Sequence, residues 1–368
     1  MQKKHTKWAT LRKLTVISLG VAALVATQVV SADVYTDPVG FVTMTALGTG
    51  NSPFNNPYVS LVGLGMTQLP VSRGNATAGV ANQVGVNATL TPGQFNKTSD
   101  GYPAYWIEIT SGAWVGYQTD IVSNDAANVY TVVDLSGGLP ATYKIYPHWT
   151  IGTLFGPQNQ AGLLGGSLTT ADQIQVWSVG SQAYTSIYYY KTTGAIGGTG
   201  WRSALSTSIN VTNVPVYIDQ SLYIARKVST NLDIKVVGGV KLTNTVSTIW
   251  SNGLGAAGST VTILGNAYPA GQPLGASGLY TGNPSTGLLG GSLTTADQLQ
   301  IWAPGSQAYT TIYYYKTTGA IGGTGWRSAT STSIDVSTNT IPLGGSVYVL
   351  RRAGNPTFNW SAPQPFVQ

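Results

Sequence analysis

Beyond residue 32 the sequence holds one histidine, His148, and one glutamate, Glu108; the whole chain has no cysteine. A Ser–His–Asp triad would therefore have to use His148, which sits in Tyr-Pro-His-Trp-Thr beside Trp149. An imidazole there reads as an amphipathic side chain within an aromatic cluster. Disulfides and thiolate metal sites are excluded, and an imidazole-based metal site has one available ligand. Glycoside hydrolysis needs two carboxyls about 5–10 Å apart. Asp172 and Asp297 are the matched pair, each in Thr-Thr-Ala-Asp-Gln ahead of a strand. Such an aspartate ordinarily satisfies backbone donors at a turn. Calcium would need only oxygen ligands, but no D-x-[DN]-x-[DN]-G loop occurs; Asp33 with Asp37, and Asp100 before Gly101, are loose groupings. Gly-Ala-Ile-Gly-Gly-Thr-Gly occurs at 194–200 and again at 319–325. It lacks the Gly-Lys-Ser/Thr of a phosphate loop and the βαβ setting of a dinucleotide site, and reads as a hairpin loop. No catalytic residue, metal or cofactor is expected, and the chain reads as a non-enzyme.

Aromatic clusters are the candidate binding residues: Tyr188, Tyr190 and Trp201, repeated as Tyr313, Tyr315 and Trp326. Such rings stack on sugars and are favoured at protein interfaces. The competing role is cross-strand pairing that stabilises a sheet. The elements that place them are strands. Residues 173–177 alternate polar and apolar, and 184–191 form a second strand. Alternation puts Tyr188 and Tyr190 on one face and Ile187 and Tyr189 on the other. Gly200-Trp201-Arg202 begins the return strand.

A repeat organises the rest. Residues 162–211 match 287–336 at 43 of 50 positions, with a constant offset of 125. Ser221-Leu222-Tyr223-Ile224 then falls on Ser346-Val347-Tyr348-Val349, and Arg226-Lys227 on Arg351-Arg352. Upstream, residues 40–44 read as a first strand, and 105–109 with 114–117 as a hairpin turning at Ser111-Gly112. No 12-residue stretch has a helical period. The fold expected is all-β: several short-stranded sandwich or barrel-like modules, the C-terminal two forming a tandem repeat. The expected divisions are a signal peptide at 1–32, an N-terminal β domain at 33–145 and a first repeat unit at 146–230. A strand connector follows at 231–267, a second unit at 268–354 and a tail at 355–368.

Several segments resemble an uncharacterised family of exported, paralogous proteins found in Verrucomicrobia and related bacteria. They are DVYTDPVGFVT at 33–43, YWIEITSGAWVG at 105–116, YPHWTIGTLFG at 146–156, the YYY…GWR hairpin, and SVYVLRR at 346–352. The resemblance covers most of the chain after residue 32 and implies export and β architecture; it brings no activity or catalytic residues with it.

The 368 residues include 46 Gly, 21 Tyr and 10 Trp, and only 8% are charged. That composition excludes a disordered polyelectrolyte or a coiled coil and fits strands joined by turns. Lys3, Lys4, Lys7, Arg12 and Lys13 precede an apolar run at 14–30, and Val30-Ser31-Ala32 offers small residues for cleavage. Removal of that segment would take five of 18 basic residues and no acidic one, so the net charge of +6 falls to about +1. A nucleic-acid partner, which needs clustered cations, is then not expected. No transmembrane segment is expected after residue 32. The function expected is an exported, non-catalytic structural or interaction protein of the cell envelope or extracellular matrix. Its partners would be further copies of itself or cell-surface glycans. The alternative is a carbohydrate-binding protein using the paired Tyr/Trp hairpins.

Overall fold

Alternating and fully apolar short segments form strands throughout the computed structural model, which describes residues 37–51, 57–192, 198–252, 258–317 and 323–366. The expected signal peptide, its cleavage position and most of the two Gly-rich loops lie outside the described residues. Pro38–Gln368 pack as one unit. The structure is all-β, and Ile151–Phe155 is the only α-helix among the described residues. That helix is capped by Thr150, whose hydroxyl accepts from the Thr153 N–H at 3.1 Å. No helix among the described residues is long and apolar enough to cross a membrane.

Two six-stranded antiparallel sheets share one strand order. From the outer edge inward, the first runs Ser206–Asn210, Gly200–Ser203, Ala183–Tyr190, Gln173–Ser178, Ser221–Arg226, Tyr58–Gly63. The second runs Ser331–Asp335, Gly325–Ser328, Ala308–Tyr315, Gln298–Ala303, Ser346–Arg351, Thr260–Gly265. Each has a companion ribbon, Val39–Ala46 with Leu232–Gly239 and Thr245–Ile249 with Phe358–Ala362. The innermost strand Tyr58–Gly63 is buried along its whole length, as its Val and Leu content favours.

The sheets meet along their innermost strands through reciprocal contacts. Trp177 Nε1 donates to the Val261 carbonyl at 3.0 Å, and Trp302 Nε1 to the Val59 carbonyl at 3.2 Å. Gln182 Oε1 accepts from the Val261 N–H at 2.7 Å, and Gln307 Oε1 from the Val59 N–H at 2.9 Å. Ser221 and Ser346, 125 residues apart, share a hydrogen bond of 2.6 Å. Such i-to-j and j-to-i pairing is the signature of packing about a local two-fold axis. Gly63 and Gly265 face each other there; a Cβ on Gly63 would stand 2.9 Å from the Gly265 Cα.

Between Tyr58–Gly63 and the strand Trp149–Thr150 the chain builds a separate closed barrel. Its strands, in order around the barrel, are Ser72–Ala78, Gln83–Val86, Asn128–Thr131, Gln118–Asn124, Tyr105–Ile109 and Ala141–Pro147. Val84, Phe95, Ile107, Ile121 and Tyr143 fill its interior. Glu108 is paired with Lys241 beyond the barrel wall, and both side chains are closed to solvent.

Boundaries read from the sequence cut across these ladders. The range 33–145 ends inside the last barrel strand, Ala141–Pro147, and also takes in Val39–Ala46 and Tyr58–Gly63, which pair with Leu232–Gly239 and Ser221–Arg226. The range 231–267 is divided between the two halves, and the tail at 355–368 supplies the ribbon strand Phe358–Ala362. The partners are too distant in sequence for composition to reveal the pairing.

Candidate functional site

The aromatic hairpins are set by register. Tyr188 stands opposite Arg202 and Tyr189 opposite Trp201, and Tyr313 and Tyr314 repeat this against Arg327 and Trp326. Tyr188 is 1% exposed and Trp201 0%; Tyr313 and Trp326 are equally enclosed, while Tyr190 and Tyr315 are half-buried. Trp201 packs edge-on to Tyr189 at 5.3 Å and donates its Nε1 to the Gly156 carbonyl at 2.8 Å. Tyr188, Trp201 and Tyr313 thus lack an open face for a ligand, which corrects that expectation for three of the six side chains. Alternation located the faces of the strand, and Ile187 and Tyr188, on opposite faces, are both buried. In the second half a hollow of about 360 Å³ is lined by Tyr280, Tyr314 and Trp326 but not by Tyr313 or Tyr315.

Asp172 and Asp297 are structural. Asp172 accepts from the N–H groups of Leu164 at 2.8 Å and Lys227 at 2.7 Å, and from Arg226 Nη1 at 2.8 Å. Asp297 repeats the arrangement with Leu289, Arg352 and Arg351. Each carboxylate is buried and joins the start of one strand to the end of its neighbour.

The outer strands Ser206–Asn210 and Ser331–Asp335 each leave one backbone edge unpaired within the sheet order. Ile209 is 58% exposed and Ile334 62%. Neither strand contains Lys, Arg or Pro. Between Arg202 and Ser203 the register jumps from Asn210 to Ser206, and the same irregularity recurs between Arg327 and Ser328.

A cleft of about 530 Å³ opens where the barrel meets the two halves. The barrel contributes Trp106, Gln118, Asp120, Val132 and Val133. The first half contributes Trp177 and the segment from Tyr217 to Gln220; the second contributes Val246, Ser247, Thr248, Trp250 and Ile263. His148, just after the last barrel strand, ties these together. Its Nε2 lies 2.9 Å from Asp120 Oδ1, and the Tyr217 hydroxyl donates to Asp120 Oδ2 at 2.9 Å. The Tyr217 ring meets the imidazole edge-on at 5.0 Å. Burial and the Asp120 carboxylate push the Tyr217 hydroxyl well above the ordinary tyrosine range. Asp219 Oδ2 accepts from Ser247 Oγ at 2.6 Å, and burial raises this carboxyl above its usual range.

Sequence reasoning placed His148 in an aromatic cluster, where it lies, but missed Asp120 and Tyr217 as its partners and Asp219 as part of the same cleft. One signal was present. At the offset of 125, Tyr217-Ile218-Asp219-Gln220 falls on Pro342-Leu343-Gly344-Gly345, directly before the matched Ser221 and Ser346. Nothing comparable points to Asp120, which the barrel brings in. Comparison of the chain with protein-family models, with curated proteins and with solved structures finds no match.

Proposed function

We propose that the chain is an exported, non-catalytic structural or interaction protein of the cell envelope or extracellular matrix that associates with further copies of itself through its sheet edges. One observation carries the reading: two uncovered edge strands of nearly identical sequence, one at the outer end of each sheet. An unpaired edge offers a row of backbone donors and acceptors to another strand, and proteins that avoid this place Lys or Pro there. Here a register irregularity interrupts the hairpin, and the strands themselves carry exposed Ile209 and Ile334. Because the edges lie at opposite ends of a molecule with internal two-fold packing, edge-to-edge association would be open-ended. Taking the two halves as copies of one unit, the first enlarged by the barrel, accounts for why the edges match. The non-catalytic part rests on the acidic pair Asp172 and Asp297, whose oxygens are consumed by backbone donors and arginines.

Sedimentation velocity and negative-stain microscopy over a range of concentrations test the reading, alongside the double variant Ile209→Lys, Ile334→Lys. Concentration-dependent assemblies that the double variant dissolves are expected. A strict monomer at high concentration, or assemblies indifferent to both lysines, would overturn it.

A further inference from the structure

We propose that the three-walled cleft around His148, Tyr217 and Trp250 is a binding site for a short, neutral oligosaccharide. Its volume of about 530 Å³ falls within the range of small-molecule sites, about 300–1,000 Å³. The lining alternates flat aromatic surface with groups that both donate and accept, which is the combination a sugar presents: apolar ring faces and a rim of hydroxyls. Trp250 is 46% exposed and Tyr217 36%, so each retains open surface, unlike the hairpin tryptophans.

Charge narrows the class. No Lys or Arg lines the cleft, so an anion would find no counter-charge. Both oxygens of Asp120 are already engaged, by His148 and by Tyr217, and Asp219 is held by Ser247. A cationic ligand would therefore compete with bonds already made. What is left for a ligand is neutral hydrogen bonding. Gln118, on the barrel wall of the same cleft, has an Oε1 that is closed to solvent and makes no hydrogen bond among the described residues. Rotation of the Gln118 side chain into the cleft would give this orphaned acceptor a ligand hydroxyl as its donor.

A comparison internal to the chain adds a separate argument. The two sheets pack reciprocally, so a cleft with a purely structural origin should recur on the opposite side of the local axis. The second half has no histidine, and it has Pro342, Gly344 and Gly345 where the first has Tyr217, Asp219 and Gln220. Only the first half carries the barrel that supplies Asp120 and Gln118. The aromatic and polar residues of the cleft are thus concentrated where the halves differ, while the strands that build the sheets are nearly the same. Packing about the axis does not require that difference, and a ligand in one cleft would account for it.

The test is a printed panel of neutral, acidic and amino oligosaccharides probed with the full chain, then calorimetry with the strongest-binding neutral trisaccharide. Variants Trp250→Ala and Tyr217→Phe are compared by the same titration, with thermal unfolding recorded for each. Binding of a neutral trisaccharide, weakened about tenfold by Trp250→Ala and about fivefold by Tyr217→Phe, is the expected result. If Tyr217→Phe lowers the melting temperature, Val133→Arg, at a rim side chain 54% exposed, obstructs the cleft without touching the His148 cluster. No neutral binding at millimolar sugar, preference for acidic or amino sugars, or affinity indifferent to all three substitutions would overturn the assignment. These outcomes leave the edge-association reading untouched, since none of the substituted residues lies on an outer strand.

Discussion

A tryptophan with no exposed surface acts through the volume it fills. Trp201 sits among Tyr189, Phe155 and the core of the first half, with its single donor spent on Gly156. Truncation removes its contacts and leaves a cavity that rigid strands close only in part. Trp201→Ala is expected to cost about 3–5 kcal/mol of stability. The half-exposed Trp250 has far less to lose on truncation, and Trp250→Ala should stay within about 0.5–1 kcal/mol of the parent. Urea unfolding of both variants separates the two roles. Equal losses at the two positions would mean that Trp250 is as much a packing residue as Trp201. The same distinction applies to charge: Asp297 and Asp172 are buried like core residues, and their oxygens are spent on strand ends.

Turns decide whether neighbouring strands keep register, and the barrel has one that responds to pH. Asp125 links Gln118–Asn124 to Asn128–Thr131, accepting from the N–H groups of Ala127 and Asn128 at 2.8 and 2.7 Å and from the Tyr130 hydroxyl at 2.8 Å. These donors hold its carboxyl down at about 2. The folded value lies below the unfolded one of about 3.9, so the contribution is complete above that pH and is lost as pH falls through about 2. Asp125→Asn should therefore melt below the parent at pH 6 and converge on it between pH 4 and pH 2. A gap in melting temperature that stays constant over that interval would refute the assignment. Elements of this kind were only partly legible. Strands Gln173–Ser178, Ala183–Tyr190 and Ser221–Arg226 stand where alternation put them. The hairpin after Tyr105–Ile109 differs: residues 114–117, expected as its return strand, are a turn with Gly112 and Gly116 at φ 77° and 88°, and the strand begins at Gln118. Aromatic content suggested a strand, but Trp114 stacks on Tyr117 across the turn. The cleft was less legible still, because Asp120 and Tyr217 are 97 residues apart and meet only after the barrel closes.

At the scale of the molecule, the barrel is a separate sheet whose packing completes the cleft, and a buried ion pair lies at that junction. Lys241 Nζ donates to Glu108, to Thr243 Oγ1 at 2.7 Å and to the Asn244 carbonyl, so its three protons are all placed. Thr243 also donates to Glu108. Burial pulls the lysine down from its ordinary value while the glutamate opposes the shift. Desolvating two charges is costly, and the pair is favourable mainly by comparison with either partner left alone. Lys241→Met leaves an uncompensated carboxylate inside the junction and should cost about 3–5 kcal/mol. Adding Glu108→Gln removes that charge, and the double variant should recover most of the loss. A double-mutant cycle in urea that includes Glu108→Gln alone measures the coupling, and a double-variant loss equal to the sum of the two single losses would show that the charge pair contributes nothing there. The cycle also reaches the ligand site. If the pair holds the barrel wall in place, Lys241→Met weakens trisaccharide binding although its side chain is outside the cleft lining, and Glu108→Gln in the same chain restores it.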